Sequence, residues 1–299
     1  MNDMGDISLV LGMQITRNRE AGTLTTSQEH YTGSVLARFG MAGCNPTLTT
    51  GAGAERSLDQ PDDTLLDPTG TELYQSITGS LMFLSQCTRY DITYAVNQLV
   101  RAMNKPSKLH MTAAKHFLRY LKGNMSLALT YKTSCFKLTG VCDASCGNNL
   151  DNGKSTSGYL FMIAGGPLSF TTALQSVTTQ STMEAELISM ALASKEAIYL
   201  SNMMAELGFG KLFNSVPLFV KNTGALHIAG NSTYSSRTKH IALRFFFLKE
   251  LIKEERITIH HEANTKQLAD IGTKLLSKST HQHLQELIKT YGYTKTNEG

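Results

Sequence analysis

The sequence predicts an α/β protein: a mixed five-stranded sheet with flanking helices, preceded by a smaller and mostly helical segment. Three observations carry that prediction. Residues 72–122 repeat apolar side chains at three- and four-residue steps. After Tyr131, three β-rich runs follow one another in hairpin succession. From Ser181 onward, helical and strand-like runs alternate to the end of the chain.

The elements follow in order. Residues 7–16 and 22–27 read as strands around a turn at Arg19-Glu20-Ala21-Gly22. A helix then runs through Phe39, with Ser27 as its expected N-cap and Gly40 as its stop. Residues 45–70 hold three of the six prolines and read as a loop or linker. From Glu72, the residues Tyr74, Ile77, Leu81 and Leu84 make one apolar helical face, and Ile92, Ala95, Val96, Leu99 and Val100 make a second. Lys105-Pro106 breaks the pattern, and a third helix with Phe117, Leu118 and Leu121 closes at Gly123.

Strands are expected at 136–142, at 157–163 and, after a turn at Gly165-Gly166-Pro167, at 168–170. A long helix from Ser181 to Leu207 starts on a capping-box pattern, Ser181-Thr182-Met183-Glu184, and Gly208 follows it. A fourth strand spans 217–220 with a short helix behind it. A helix at 241–254, a fifth strand at 257–261 and helices at 266–274 and 279–290 complete the chain. The expected domains are 1–130 and 131–299.

Composition bounds the function. At 299 residues, 41% apolar and 17% charged, the chain is globular and long enough for two domains. A net charge of +4 is compatible with a nucleic-acid partner without demanding one. The five cysteines are odd in number and form no CxxC pair, so neither a disulfide framework nor a zinc site at Cys142 and Cys146 is expected. There is no signal-peptide pattern and no apolar run of membrane-spanning length, which reads as an intracellular protein, cytoplasmic or nuclear, with no membrane partner. The opening residues enter a strand at once, which reads as a cut inside a larger protein.

Acidic residues at the ends of this sheet are the candidate chemistry. Asp143 is expected at the end of the first strand of the sheet, Glu186 in the first turns of the long helix, and Asp270 at the start of a late helix. Three carboxylates converging on one crevice make a hard-oxygen site suited to Mg²⁺ or Mn²⁺, and paired cations of that kind assist phosphodiester cleavage. Lys154, Ser155, Thr182, Asn222 and Lys239 are candidates for nucleic-acid contact. Each acid taken singly has a plainer explanation: a turn residue for Asp143, a solvated helix residue for Glu186, and a helix-dipole partner for Asp270.

The segments LGMQITRNREAGTLTTSQEHYTGSVLARFGMAGC (11–44), the helical stretch 74–123, KSTSGY, STMEAELISMALASKEAIYL, TKHI and QLADIGTK occur in an order and spacing that resemble the Pol polyprotein of copia-type retrotransposons. That resemblance covers nearly the whole chain. It implies the end of a reverse transcriptase (thumb and connection) followed by a ribonuclease-H-like domain that cuts the RNA strand of RNA–DNA hybrids with divalent metal ions. Asp143, Glu186 and Asp270 match three of the family's metal-ligand acids.

The remaining ligand position departs from the pattern. Lys221 stands where the family has an Asp before Asn222. Acid has become base, a swing of two charge units, and each close charge pair is worth several kcal/mol at an effective dielectric of about 20. The family's Asp-Trp pair after the first acid is Ser145-Cys146 here, and the chain holds no Trp. The polymerase Tyr-x-Asp-Asp motif is absent, so the chain is not a polymerase on its own. Three readings stand: a ribonuclease H crippled by Lys221, a non-catalytic nucleic-acid-binding remnant with the rest of Pol as a further partner, or a degenerate fragment without activity.

Overall fold

The computed structural model describes residues 5–50, 58–134, 136–221 and 239–290. The chain divides into two units, Met1–Ser134 with Leu275–Gln282, and Cys135–Lys274 with His283–Gly299.

In the first unit, β1 (Leu9–Val10), β2 (Met13–Asn18), β3 (Thr23–Ser27) and β4 (Ala128–Lys132) form an antiparallel sheet in that order. The strand expected over 7–16 is broken. Leu11 and Gly12 take positive φ angles of 49° and 76°, and the chain reverses there between β1 and β2. The strand β4 has no counterpart in the sequence reading. It lies past the helical stretch and pairs with β3 near the other end of the unit, so its partner leaves no local signal.

Helices α1 (Glu29–Arg38), α2 (Pro68–Cys87), α3 (Thr93–Arg101) and α4 (Lys108–Gly123) supply the core of this unit. Gln28, not Ser27, is the N-cap of α1. Ser27 ends β3 and accepts a hydrogen bond from Glu29 N at 3.1 Å. Helix α2 begins at Pro68 rather than Glu72, because Asp67 Oδ1 accepts from Gly70 N at 2.8 Å and proline fits the first helical position. Helix α4 has Ser107 and His110 in a reciprocal capping box. Tyr74, Ile77, Leu81 and Leu84 bury against Val96, Leu99 and Phe117. Arg89 Nε and Nη2 each donate to the Asp91 carboxylate at 2.8 Å, and Tyr120 Oη donates to it at 2.7 Å. His281 Nε2 lies 3.1 Å from Asp91 O, which fastens the returning segment 275–282 to this unit.

The second unit is built on β5 (Thr139–Ser145), β6 (Thr156–Ile163), β7 (Gly166–Leu174), β8 (Val216–Val220) and β9 (Ile257–His261), in the sheet order β7-β6-β5-β8-β9. β5, β8 and β9 are parallel, and β6 is antiparallel to both β5 and β7. This is the mixed five-stranded sheet that the sequence predicts. Its helices are α5 (Thr182–Met204), α6 (Lys239–Lys253) and the single turn α7 (Asp270–Thr273), while α8 (Lys278–Thr290) is divided, with its residues to Gln282 in the first unit and the remainder in the second. Helix α5 lies against β5, β6, β8 and α6, which explains why buried residues appear on all its faces.

Several boundaries differ from expectation. β5 continues to Ser145, so Asp143 lies inside the strand. β7 extends to Leu174, and the turn before it uses Ala164 and Gly165 at φ 52° and 83°. The helix expected over 266–274 is a 3₁₀ turn at 264–266 followed by α7. The helix expected behind β8 lies outside the described residues. In the Phe245-Phe246-Phe247-Leu248 run, Leu248 is buried but Phe246 is exposed, so the run is only partly core. No helix among the described residues is long and apolar enough to cross a membrane.

One glycine sets how closely α7 approaches the sheet. Gly158 pairs with Asp143 across β5 and β6. A Cβ on Gly158 would stand 2.7 Å from Thr273 Cγ2 and 3.3 Å from the Gly272 carbonyl. We expect Gly158→Ala to lower stability by about 1–3 kcal/mol, as overpacking does, in urea unfolding followed by circular dichroism. An unchanged midpoint would contradict this seating of α7.

Candidate nuclease site

Asp143 is the fifth residue of β5 and is 1% exposed. Thr273 Oγ1 donates to Asp143 Oδ2 at 2.7 Å, and Ser189 Oγ of α5 donates to Asp143 O at 2.6 Å. The strand is thereby tied to α7 on one side and α5 on the other. Gln267 Nε2 donates to Cys142 O at 3.2 Å, which pins the approach to α7.

Glu186 enters from the first turns of α5. Ser181 Oγ accepts from Glu184 N at 3.2 Å, and Glu184 Oε2 accepts from Gln180 N at 2.8 Å. Glu184 is thus occupied at the helix start, whereas Glu186 is 7% exposed with its Oε2 lacking any hydrogen-bond partner. Asp270, 6% exposed, opens α7.

The three acids act on one another. Burial, and then the charge of Asp270, raise the Asp143 carboxyl to about 6. Burial, and then Asp143, raise Glu186 further, to about 8, with Asp270 adding to the push. The structure therefore brings together the residues that the sequence singles out from three distant stretches.

Two lysines oppose this crowding. Lys221 follows the last residue of β8, is half-buried, and its charge pulls Glu186 downward. Lys274 comes closer to the other two acids. Its Nζ lies 2.7 Å from Asp270 Oδ1 and 3.9 Å from Asp143 Oδ2. The 2.7 Å contact is an ion pair between residues four apart in the chain. Burial alone would lower the Lys274 amine, yet the Asp143 and Asp270 charges outweigh it and hold the amine above its ordinary value.

The sequence reading passed over Lys274, although it ends the QLADIGTK stretch. The available signal was its spacing of four residues from Asp270, which brings side chains together on a helix.

The implied metal fits the donors but not their arrangement. Three carboxylates, two of them with a buried oxygen that accepts no hydrogen bond, are suitable chemistry for Mg²⁺. No three His, Cys, Asp or Glu side chains among the described residues are placed to hold a metal ion, and an ammonium stands against two of the acids. Cys142 is buried and Cys146 is exposed.

The nucleic-acid candidates divide. Thr182 is exposed at the start of α5, and Lys154 is half-buried in the β5–β6 loop. Ser155 is a correction: it is fully buried, accepts from Gly147 N at 3.0 Å and sits 2.6 Å from Thr179 Oγ1. Its hydroxyl holds the loop in place instead of facing a phosphate. Lys239 is the first residue of α6. Asn222 lies outside the described residues.

The raised carboxyls imply a direction of pH dependence. A folded-state value above the unfolded one favours the protonated native form. The Glu186 contribution is full below about 4.5 and is lost as pH rises through about 8. We expect the metal-free protein to lose thermal stability over that window and Glu186→Gln to flatten the loss, in melts with EDTA at pH 5 to 9. A wild-type profile that rises with pH would contradict the crowding.

Comparison with known proteins places this geometry. No protein-family model matches the chain. It is 34% identical over 291 residues to the retrovirus-related Pol polyprotein from transposon TNT 1-94 of Nicotiana tabacum, covering 96% of this chain and 22% of that protein. It is 32% identical over 284 residues to the Pol polyprotein from transposon RE2 of Arabidopsis thaliana, covering 95% and 19%. The chain thus spans about a fifth of the length of these curated relatives. Among solved structures, it is similar to a foamy viral protease-reverse transcriptase in complex with RNA/DNA hybrid, at 12% identity and TM-score 0.47, over 91% of this chain and 31% of that one. It is also similar to RNase H1 from Halobacterium salinarum NRC-1, at 13% identity and TM-score 0.33, over 46% and 94%. The chain belongs to the copia-type, retrovirus-related Pol polyproteins of transposons, and its second unit is built on a mixed five-stranded sheet with flanking helices.

Proposed function

We propose that the second unit is a ribonuclease H for the RNA strand of RNA–DNA hybrids, with Asp143, Glu186 and Asp270 as its acid centre, and that Lys221 cripples it. Membership among the Pol polyproteins and the β7-β6-β5-β8-β9 sheet support the domain type. The observation that carries the loss of activity is the lysine after β8, whose charge bears on Glu186 where the family pattern has an acid.

Metal-assisted hydrolysis needs its acids ionised together. Without metal, burial and mutual repulsion raise Glu186 to about 8, so a cation that binds there must first displace its proton. A neutral carboxyl is a poor ligand for a hard cation. Lys221 favours the ionised form of Glu186, but it does so with a fixed positive charge that repels a metal ion and adds no donor oxygen. Binding of nucleic acid does not depend on the acids, and the exposed Thr182, the Lys154 loop and Lys239 are the groups we assign to phosphate contact. That observation favours a second reading, a domain that binds hybrid or duplex without cutting. In either case the rest of a Pol polyprotein is the natural partner, since the relatives are about five times longer.

With Mg²⁺ or Mn²⁺ and a labelled hybrid, we expect weak cleavage or none, and Lys221→Asp to raise the rate by an order of magnitude or more. Robust wild-type cleavage abolished by Asp143→Asn would show that the lysine does not cripple the site. Binding should weaken steeply as salt rises and show no sequence preference. A salt-independent affinity would contradict phosphate contact.

A further inference from the structure

The cluster contains a cation of its own. Lys274 Nζ is 2.7 Å from Asp270 Oδ1 and 3.9 Å from Asp143 Oδ2, and its side chain is only partly exposed. The backbone holds it there. Lys274 is the residue immediately after α7, and its N–H donates to Asp270 O at 3.3 Å. Beyond it the chain passes at Leu275 into the first unit. On the other side, Thr273 Oγ1 is fixed on Asp143 Oδ2 at 2.7 Å, so this acid has a donor and an ammonium on the same oxygen. Asp270 Oδ1 has the Lys274 ion pair, whereas the buried Glu186 Oε2 has neither a hydrogen bond nor an ion pair.

We propose that the Lys274 ammonium is a tethered occupant of the cation position between Asp143 and Asp270, so that a divalent cation binds this domain only by displacing it. The proposal rests on the reading of these acids as the nuclease centre, and extends it to regulation of the same site. Two positive groups cannot share the contact. At about 4 Å, repulsion between a monovalent and a divalent charge amounts to several kcal/mol at an effective dielectric of about 20. The tether gives the amine a high local concentration against a free ion. Without metal, Lys274 offsets the repulsion between two buried acids and supports the fold. With metal, its amine swings to solvent, a movement open to a lysine on its four-carbon stem. Both lysines bear on Glu186, Lys221 the more strongly, and Lys274 in addition makes ion pairs with Asp143 and Asp270.

The test is Mn²⁺ binding to the full chain, read by electron paramagnetic resonance of free ion and by the shift in melting temperature, with no nucleic acid present. Lys274→Met should bind Mn²⁺ roughly tenfold or more tightly than wild type, melt lower in EDTA, and gain more from added Mn²⁺. Should Lys274→Met fail to fold, Lys274→Gln, which keeps a donor for Asp270 without the charge, carries the same expectation. Equal affinity in wild type and the neutral variant, abolished by Asp143→Asn in both, would overturn the tethered cation while leaving the acid centre standing. No Mn²⁺ binding by any of them would overturn the acid centre, and the proposal with it.

Discussion

Three carboxyl groups, one on the middle strand of the sheet and two on helices packed against it, are buried together and repel one another. Asp143, Glu186 and Asp270 are each nearly excluded from water, where a carboxylate is costly unless it is paired. The structure relieves the cost in two ways. Protonation is favoured at Glu186 and, to a lesser degree, at Asp143. Positive charge is supplied by Lys274 and Lys221. Both ways ease the repulsion without a metal ion, and both oppose the binding of the divalent cation proposed for this centre.

The scaffold explains why the acids stay in place. Asp143 projects from within β5, the middle strand of the five, so it moves only if the sheet does. Ser189 joins that strand to α5 through the Asp143 carbonyl, and the bare backbone of Gly158 lets α7 pack down on β6. Asp270 therefore rests on the sheet although its helix is a single turn, too short to hold itself together. The same contacts bring Lys274 in with Asp270. An acid and a base carried on one turn are delivered as a pair, and separating them requires the lysine side chain to swing away while the backbone remains.

Much of this was legible in the sequence, and what was not has identifiable causes. The strands β6, β8 and β9 and the helix α5 have strong local patterns and fall close to where the sequence places them. The acids were found because three motifs converge in a known order, since no single motif distinguishes Asp143 from a turn residue. β4 and the break at Leu11-Gly12 were missed for different reasons. One depends on a distant strand, and the other on a backbone conformation that Leu seldom adopts. Ser155 was misplaced because a hydroxyl next to a lysine looks the same in sequence whether it faces solvent or braces a loop. Lys274 was visible as a letter in a motif, but its contact with Asp143 joins residues far apart in the chain and appears only once the sheet is assembled.

The crowding of the acids is the claim on which nuclease ancestry, lost activity and the built-in cation all depend. Carboxyl-carbon NMR of selectively labelled protein, titrated without metal, measures it directly. The account predicts that Glu186 titrates near 8 and Asp143 near 6, with the Glu186 midpoint falling when Asp143 is replaced by Asn. Ordinary carboxylate midpoints for both residues, each unmoved by substitution of the other, would contradict it.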